Sequence, residues 1–275
     1  MSPVGMTLLL VVTLGAFAWS ARRRWLLLRV GVADLQFDRL GERVGRTLRF
    51  AIGQARMPRY KAAGVAHVLI FAGFLVLLLR SLILFGRGYS DDPAFGYWIF
   101  DGGTFLGQLY SLIKDVFVVL VLMGTCTFIY YRLVVRPKRM SLSIEGLVIL
   151  GIIFVMMLAD VLYDGAHMVI NEWPRSGWEP LGSVLAGPMR DLSPGALKFC
   201  EHLGFWTHTS LVLIFLNLLP LSKHFHVITA VPNVFFCGVS VWMFTVVAWA
   251  CCTGGGDCGC TLLTTSDGGS RASSS

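Results

Sequence analysis

The sequence predicts an all-α integral membrane protein, a bundle of five transmembrane helices with a candidate sixth crossing near the C-terminus. Of its 275 residues, 55% are hydrophobic and only 14% are charged, which is too little charge for the surface of a soluble domain of this size. Five apolar runs have the length of a bilayer crossing. The net charge of +7 is concentrated in clusters between these runs, so it predicts membrane topology and not nucleic-acid binding.

Basic clusters set the predicted orientation. Residues 21–63 contain eleven Arg or Lys and three acids, and such segments stay in the cytoplasm, which places the N-terminus outside. Arg22 follows the first apolar run, whereas a secretory signal has its charge in front, so a retained anchor is favoured over cleavage near Ala21. The sequence thus predicts a multi-pass membrane protein, crossing at about residues 4–20, 64–86, 105–134, 144–169 and 199–221.

The basic segment before the second crossing has a helical pattern of its own. An apolar residue recurs every fourth position with arginines beside it (Leu40, Val44 and Leu48; Arg39, Arg43 and Arg46). This pattern predicts an amphipathic helix lying on the inner leaflet, with a solvated basic loop as the alternative.

The last part of the chain differs from the membrane domain that we assign to residues 1–233. Residues 234–252 are apolar enough for the candidate sixth crossing, and the remainder is a low-complexity tail for which we expect disorder. Cys258 and Cys260 lack the spacing of an iron–sulfur motif, so no iron–sulfur cluster is predicted in this chain.

Two histidines of the fifth crossing have a regular spacing. His208 and His226 are eighteen residues apart. In one helix this is five whole turns, so both would leave the same face, about 27 Å apart along the axis. Such a face suits two b-type haems stacked across a bilayer. The alternative is a pair of interfacial histidines that fall in register.

Other crossings offer partners for these two histidines. A six-coordinate haem between helices needs two imidazoles at the same depth. His67, near the start of the second crossing, shares the inner leaflet with His226, and His167, late in the fourth crossing, shares the outer leaflet with His208. The sequence therefore predicts one or two b-type haems whose iron these four histidines bind.

Three further observations bear on this prediction. His202 and His224 are the alternative ligands, and a kink at Pro220 would shift the helical phase of His226. A porphyrin edge needs a helix face without side chains, for which the sequence offers the glycines Gly64, Gly73 and Gly204. Small residues are also common where membrane helices touch.

Charged residues inside the crossings are candidates for quinone chemistry. Arg80, Asp160 and Asp164 lie within apolar runs, where charge is costly and usually functional. The aspartates would exchange protons with a quinone, and Arg80 would bind a haem propionate or extend to the outer surface. Structural ion pairs are the alternative. A transporter that uses these charges is a third interpretation, which the absence of a clear repeat disfavours.

The strings AAGVAHVLIFAGF and HTSLVLIFLNLLPLSKHFHVITAVPNVFF resemble a known family. They are similar to the gamma subunit of respiratory nitrate reductase and, more closely, to the membrane module of heterodisulfide-reductase-related iron–sulfur proteins of the ETF–menaquinone oxidoreductase type. The resemblance covers about residues 1–236 and implies a dihaem cytochrome b that exchanges electrons with menaquinone. His67, His208 and His226 match the implied ligand positions. The resemblance also implies a second histidine later in the same crossing as His67, but near the expected position this sequence has Leu77 and no histidine.

The resemblance also implies a cytoplasmic iron–sulfur domain after the PNVFF string, where this sequence has its atypical tail. A truncated or frame-shifted end is one hypothesis for this difference. The predicted function is a membrane cytochrome b module that transfers electrons between menaquinone, or another quinone, and a cytoplasmic iron–sulfur or flavoprotein partner. The resemblance implies a bacterial or archaeal cytoplasmic membrane as its location. The alternative is a haem-free membrane anchor for a peripheral redox protein.

Overall fold

The structure, a computed structural model, describes residues 2–28, 39–55, 57–90, 104–136, 144–172, 177–221 and 226–236. Five of its helices are long and apolar enough to cross a membrane, and the described residues contain no strand, which confirms the all-α, five-crossing prediction. The five are α1 Pro3–Leu28, α3 Lys61–Arg87, α4 Phe105–Tyr130, α5 Ile144–Ile170 and α7 Pro194–Leu221. Three shorter helices are α2 Leu40–Thr47, α6 Pro180–Met189 and α8 His226–Phe236.

Helix α5 lies at the centre of the bundle. It packs along α7 and against α4 and α6, while α3 packs on α4 and α1 packs on α7. Leu77, Val118, Ile149 and Met157 form a core cluster between α3, α4 and α5. Many other large apolar side chains of the long helices are exposed, where a bilayer would cover them.

The two ends of the bundle differ in charge. One end, called here the basic end, carries Arg24, Lys61 and Arg132 and contains the starts of α3 and α5. The other, called the far end, contains the end of α5, helix α6 and the start of α7. The positive-inside rule predicts that the basic end faces the cytoplasm.

Helix α2 shows that the basic segment is structured. The helix continues through a π-helical turn, Leu48–Ile52, so the predicted helix is confirmed and the solvated loop is wrong. Leu40, Val44 and Leu48 are exposed. Arg43, predicted among the polar residues, is instead buried and donates a hydrogen bond of 3.0 Å from NH1 to the carbonyl oxygen of Phe235 in α8.

The three glycines predicted to face a porphyrin are packed against protein instead. A Cβ on Gly204 of α7 would lie 2.6 Å from the Tyr163 backbone nitrogen in α5. On Gly73 it would lie against Val121 Cγ2, and on Gly64 it would lie against the Met57 carbonyl oxygen. These glycines allow neighbouring segments to pack closely, against backbone at Gly64 and Gly204 and against a side chain at Gly73, which is the usual role of small residues in membrane bundles.

We expect Gly204→Ala to lower the free energy of unfolding by about 1–3 kcal/mol, because the added methyl would force α5 and α7 apart. Thermal unfolding of the detergent-solubilised protein, followed by circular dichroism, measures this change. Gly151→Ala is the matched control, since nothing lies within 4 Å of a Cβ at that position. Equal stability of the two variants would contradict the contact between α5 and α7.

Candidate functional site

Five charged side chains form a buried cluster in the half of the bundle nearer the far end. Arg80 comes from α3, Lys114 and Asp115 from α4, and Asp160 and Asp164 from α5, and all are at most 8% exposed. This group is called the ionic cluster below. An unpaired charge is very costly inside a bilayer, so each member depends on the others.

Direct contacts hold the ionic cluster together. Arg80 donates from Nε to Asp160 Oδ1 at 2.9 Å, and its NH2 group also donates to Asp164. Lys114 donates to Asp164 and lies 3.0 Å from Asp115 Oδ1. Because the two aspartates of α5 are four residues apart, one helix face presents both to α3 and α4.

The ionic cluster also reaches helix α6 at the far end. The backbone N–H of Leu181, in the first turn of α6, donates to Asp115 Oδ2 at 2.8 Å. A carboxylate at a helix N-terminus is favourable because the N–H groups there have no partner within the helix. Thus the cluster connects α3, α4, α5 and α6.

His208 of α7 lies beside the ionic cluster and is completely buried. Its Nδ1 atom is 3.3 Å from the Met156 carbonyl oxygen and 3.7 Å from Asp160 Oδ1. Its Nε2 atom is 3.4 Å from Ser81 Oγ. The ring is therefore enclosed between α5 and α3.

His167 of α5 occupies a different place, closer to the far end. Its Nδ1 atom is 2.8 Å from Glu201 Oε1 of α7, and its ring stacks on Tyr163 with a centroid distance of 5.2 Å. Glu201 precedes His208 by seven residues, which is about 10 Å along a helix. The structure does not bring the predicted outer pair together, because His167 and His208 lie at different depths.

A cavity of about 290 Å³ opens at the far end next to His167. Tyr163, Arg87, Glu201 and His202 contribute to its lining. His202, the alternative ligand of the sequence interpretation, is exposed there. Arg87 donates from NH1 to the Tyr163 hydroxyl at 3.3 Å.

His67 of α3 lies near the basic end. Its Nδ1 atom is 3.1 Å from the side-chain oxygen of Gln54, which is buried. An amide oxygen can only accept, so His67 Nδ1 donates in this contact. Histidines that bind metals are oriented in this way, through a hydrogen bond from the other ring nitrogen.

His226 and His224 are less defined. His226 is the first residue of α8, but its side chain lies outside the described part, as does all of His224. Helix α7 is described as far as Leu221, and residues 222–225 lie outside the described part. The single-helix register of His208 and His226 therefore stays a prediction. The candidate sixth crossing, residues 234–252, lies outside the described residues beyond Phe236.

Sequence interpretation missed Lys114, Asp115 and Glu201. Lys114 and Asp115 stand in the third apolar run as adjacent opposite charges, and this signal was sufficient to include them with Arg80. Glu201 lies near the predicted start of a crossing, where an acid is ordinary. Among the described residues, no group of three or more His, Cys, Asp or Glu side chains has the arrangement of a metal site.

Two curated proteins are similar to this chain. The probable iron-sulfur-binding oxidoreductase FadF of Bacillus subtilis is 25% identical over 236 residues, which are 83% of this chain and 32% of that protein. The EtfAB:quinone oxidoreductase of Syntrophomonas wolfei is 25% identical over 230 residues, which are 79% of this chain and 31% of that protein.

The chain thus spans about a third of the length of these relatives. No protein-family profile matches it, and no solved structure does. The two similarities support the predicted relation to this group of oxidoreductases.

Proposed function

We propose that the chain is the membrane module of an oxidoreductase that transfers electrons between a quinone, such as menaquinone, and a cytoplasmic iron–sulfur or flavoprotein partner. The observation that carries this proposal is the similarity to an EtfAB:quinone oxidoreductase over 79% of the chain. That alignment is long enough to include most of the five-helix bundle. Such a bundle supplies a dry environment of low dielectric constant for redox groups.

We propose His67 and His226 as the axial ligands of one b-type haem at the basic end. The contact of His67 with Gln54 supports this, because metal-binding histidines are usually oriented by a hydrogen bond from one ring nitrogen while the other binds the metal. When bound, the haem would supply one-electron redox chemistry. A second haem on His167 and His208 remains a prediction of the sequence, which the haem count decides.

The mutual pairing of Arg80, Asp160 and Asp164 bears on their predicted role in quinone chemistry. These residues neutralise one another and Lys114 within the bundle. Their arrangement supports the structural alternative, in which the charges hold helices together. The quinone site that we propose therefore uses other residues, near the proposed haem.

The test is optical and uses the full chain, produced with haem available and purified in detergent. We expect a b-type signal in the dithionite-reduced minus oxidised spectrum, a pyridine haemochrome that gives the haem content, and reduction of the same signal by anaerobic menadiol. A folded protein without haem would contradict the proposal and favour the haem-free anchor. Haem that menadiol does not reduce would contradict the quinone assignment alone.

A further inference from the structure

We infer that the far half of the bundle is closed by the ionic cluster and His208 in place of a second haem, and that quinone consequently reacts in the half nearer the basic end, exchanging protons with the cytoplasmic side. This inference rests on the proposed function and adds the location and the sidedness of the reaction.

The surroundings of His208 do not fit an iron ligand. The contact of Nδ1 with the Met156 carbonyl oxygen, at 3.3 Å, is one that a ligand could also make, but Nε2, the nitrogen left for iron, faces Ser81 Oγ of α3 at 3.4 Å. The ring has no exposed surface. Every described contact of His208 is therefore one that a buried, hydrogen-bonded core histidine makes.

The helices around His208 leave no width for a porphyrin. One turn before it, at Gly204, a Cβ would lie 2.6 Å from the Tyr163 nitrogen and 2.7 Å from the Ala159 carbonyl oxygen. Phe205, in the same turn, is fully buried, and its ring centroid lies 5.9 Å from that of Tyr163. Helices α5 and α7 are thus in backbone contact where the porphyrin of a second haem would have to lie.

The ionic cluster fixes the spacing of the remaining helices at this depth. Arg80 bridges α3 to α5 through Asp160 and Asp164, and Lys114 bridges α4 to α5. Moving the helices apart to admit a haem would separate charges that lie inside the bilayer. Breaking such buried pairs is strongly unfavourable because it leaves an uncompensated charge.

The other histidines near the far end do not replace His208. His167 is paired with Glu201, and His202 is exposed at the same cavity. That cavity, about 290 Å³, is smaller than a haem. In the part of the chain that the structure describes, therefore, the far half contains no pair of histidines facing each other across a gap of porphyrin size.

The consequence concerns where electrons and protons are exchanged. The far end of α3, Arg87, is twenty residues beyond His67, or about 30 Å along the helix. Electron tunnelling falls steeply with distance, so a quinone at the far surface is out of reach of a redox centre at His67. Oxidation of a quinol yields quinone, two electrons and two protons. The two electrons and the two protons then leave towards the same, cytoplasmic side, and no net charge crosses the membrane.

The sidedness is measured in liposomes that contain the full chain and menaquinol-4, with ferricyanide outside and the pH dye pyranine inside. Ferricyanide does not cross the bilayer, so it accepts electrons only from molecules whose basic end faces outward. We expect the medium to acidify while the interior pH stays constant. Interior acidification would overturn the inference. Liposomes with His67→Gln give the background of direct quinol oxidation.

Haem content separates this inference from the proposed function. We expect one haem per wild-type chain and the same content in His208→Gln. Two haems per wild-type chain would overturn the inference and leave the proposed function standing, and this result does not depend on whether His208→Gln folds. A folded wild-type chain without haem, whose ferricyanide reduction does not exceed that of protein-free liposomes, would instead overturn the proposed function.

Discussion

Replacing Arg80 with methionine is expected to lower the unfolding free energy by about 3–5 kcal/mol, because Asp160 and Asp164 would be left as buried, uncompensated carboxylates. Arg80 is only 5% exposed, so water cannot replace the lost contacts without entering the bundle. The measurement is the unfolding equilibrium in detergent micelles, induced by denaturant and followed by circular dichroism.

Two further variants test whether the loss of stability comes from removing the charge of Arg80 inside the ionic cluster. Arg190→Met removes an exposed arginine at the far end and should leave stability within about 0.5 kcal/mol of the wild type. The double variant Arg80→Met with Asp160→Asn should recover part of the loss, since one carboxylate charge is removed together with its partner. An Arg80→Met protein as stable as Arg190→Met would contradict the view that the ionic cluster supports the fold.

The second large effect is expected at His67. His67→Gln should abolish haem binding, because the proposed haem loses one of its two axial ligands. The b-type difference spectrum and the pyridine haemochrome both report this loss. His202→Gln changes an exposed histidine and is expected to retain the wild-type haem content.

Gln54 provides a finer test of the same site. Gln54→Asn draws the amide back from His67 Nδ1, while asparagine tolerates the left-handed backbone of this position (φ 46°). We expect haem affinity to fall about 10–100-fold, as is typical when the hydrogen-bond acceptor of a metal-binding histidine is removed. Unchanged affinity in Gln54→Asn would show that this contact does not orient a ligand.

Hydropathy was sufficient to predict the fold class, because each crossing must satisfy its backbone hydrogen bonds internally, and long apolar helices follow from that requirement. It could not predict the ionic cluster as a unit. Arg80 and Asp160 are eighty residues apart, and nothing local indicates that α3 and α5 meet at that depth. Lys114 and Asp115 could have been included from the sequence, since both charges lie inside an apolar run.

The histidines show a second limit of sequence interpretation. Counting residues placed His167 and His208 at the same depth, but His167 lies beside Glu201, seven residues before His208. The orientation of Arg43 could not be predicted from the sequence either. Its neighbours predicted a polar face, but Arg43 is buried and donates to the carbonyl oxygen of Phe235 in α8. Tertiary contacts decided both cases.

Two contacts of helix α4 have a consequence for biosynthesis, because their partners are in helices that are made later. Asp115 accepts from Leu181 of α6, and Lys114 is paired with Asp164 of α5. Helices α3 and α4 emerge from the ribosome before α5, so Arg80 and Lys114 enter the membrane with Asp115 as their only partner from the ionic cluster. Until Asp160 and Asp164 arrive, this hairpin carries excess positive charge in an apolar medium. Its stable integration therefore depends on α5, and a nascent chain that stops after α4 should be a substrate for membrane quality control.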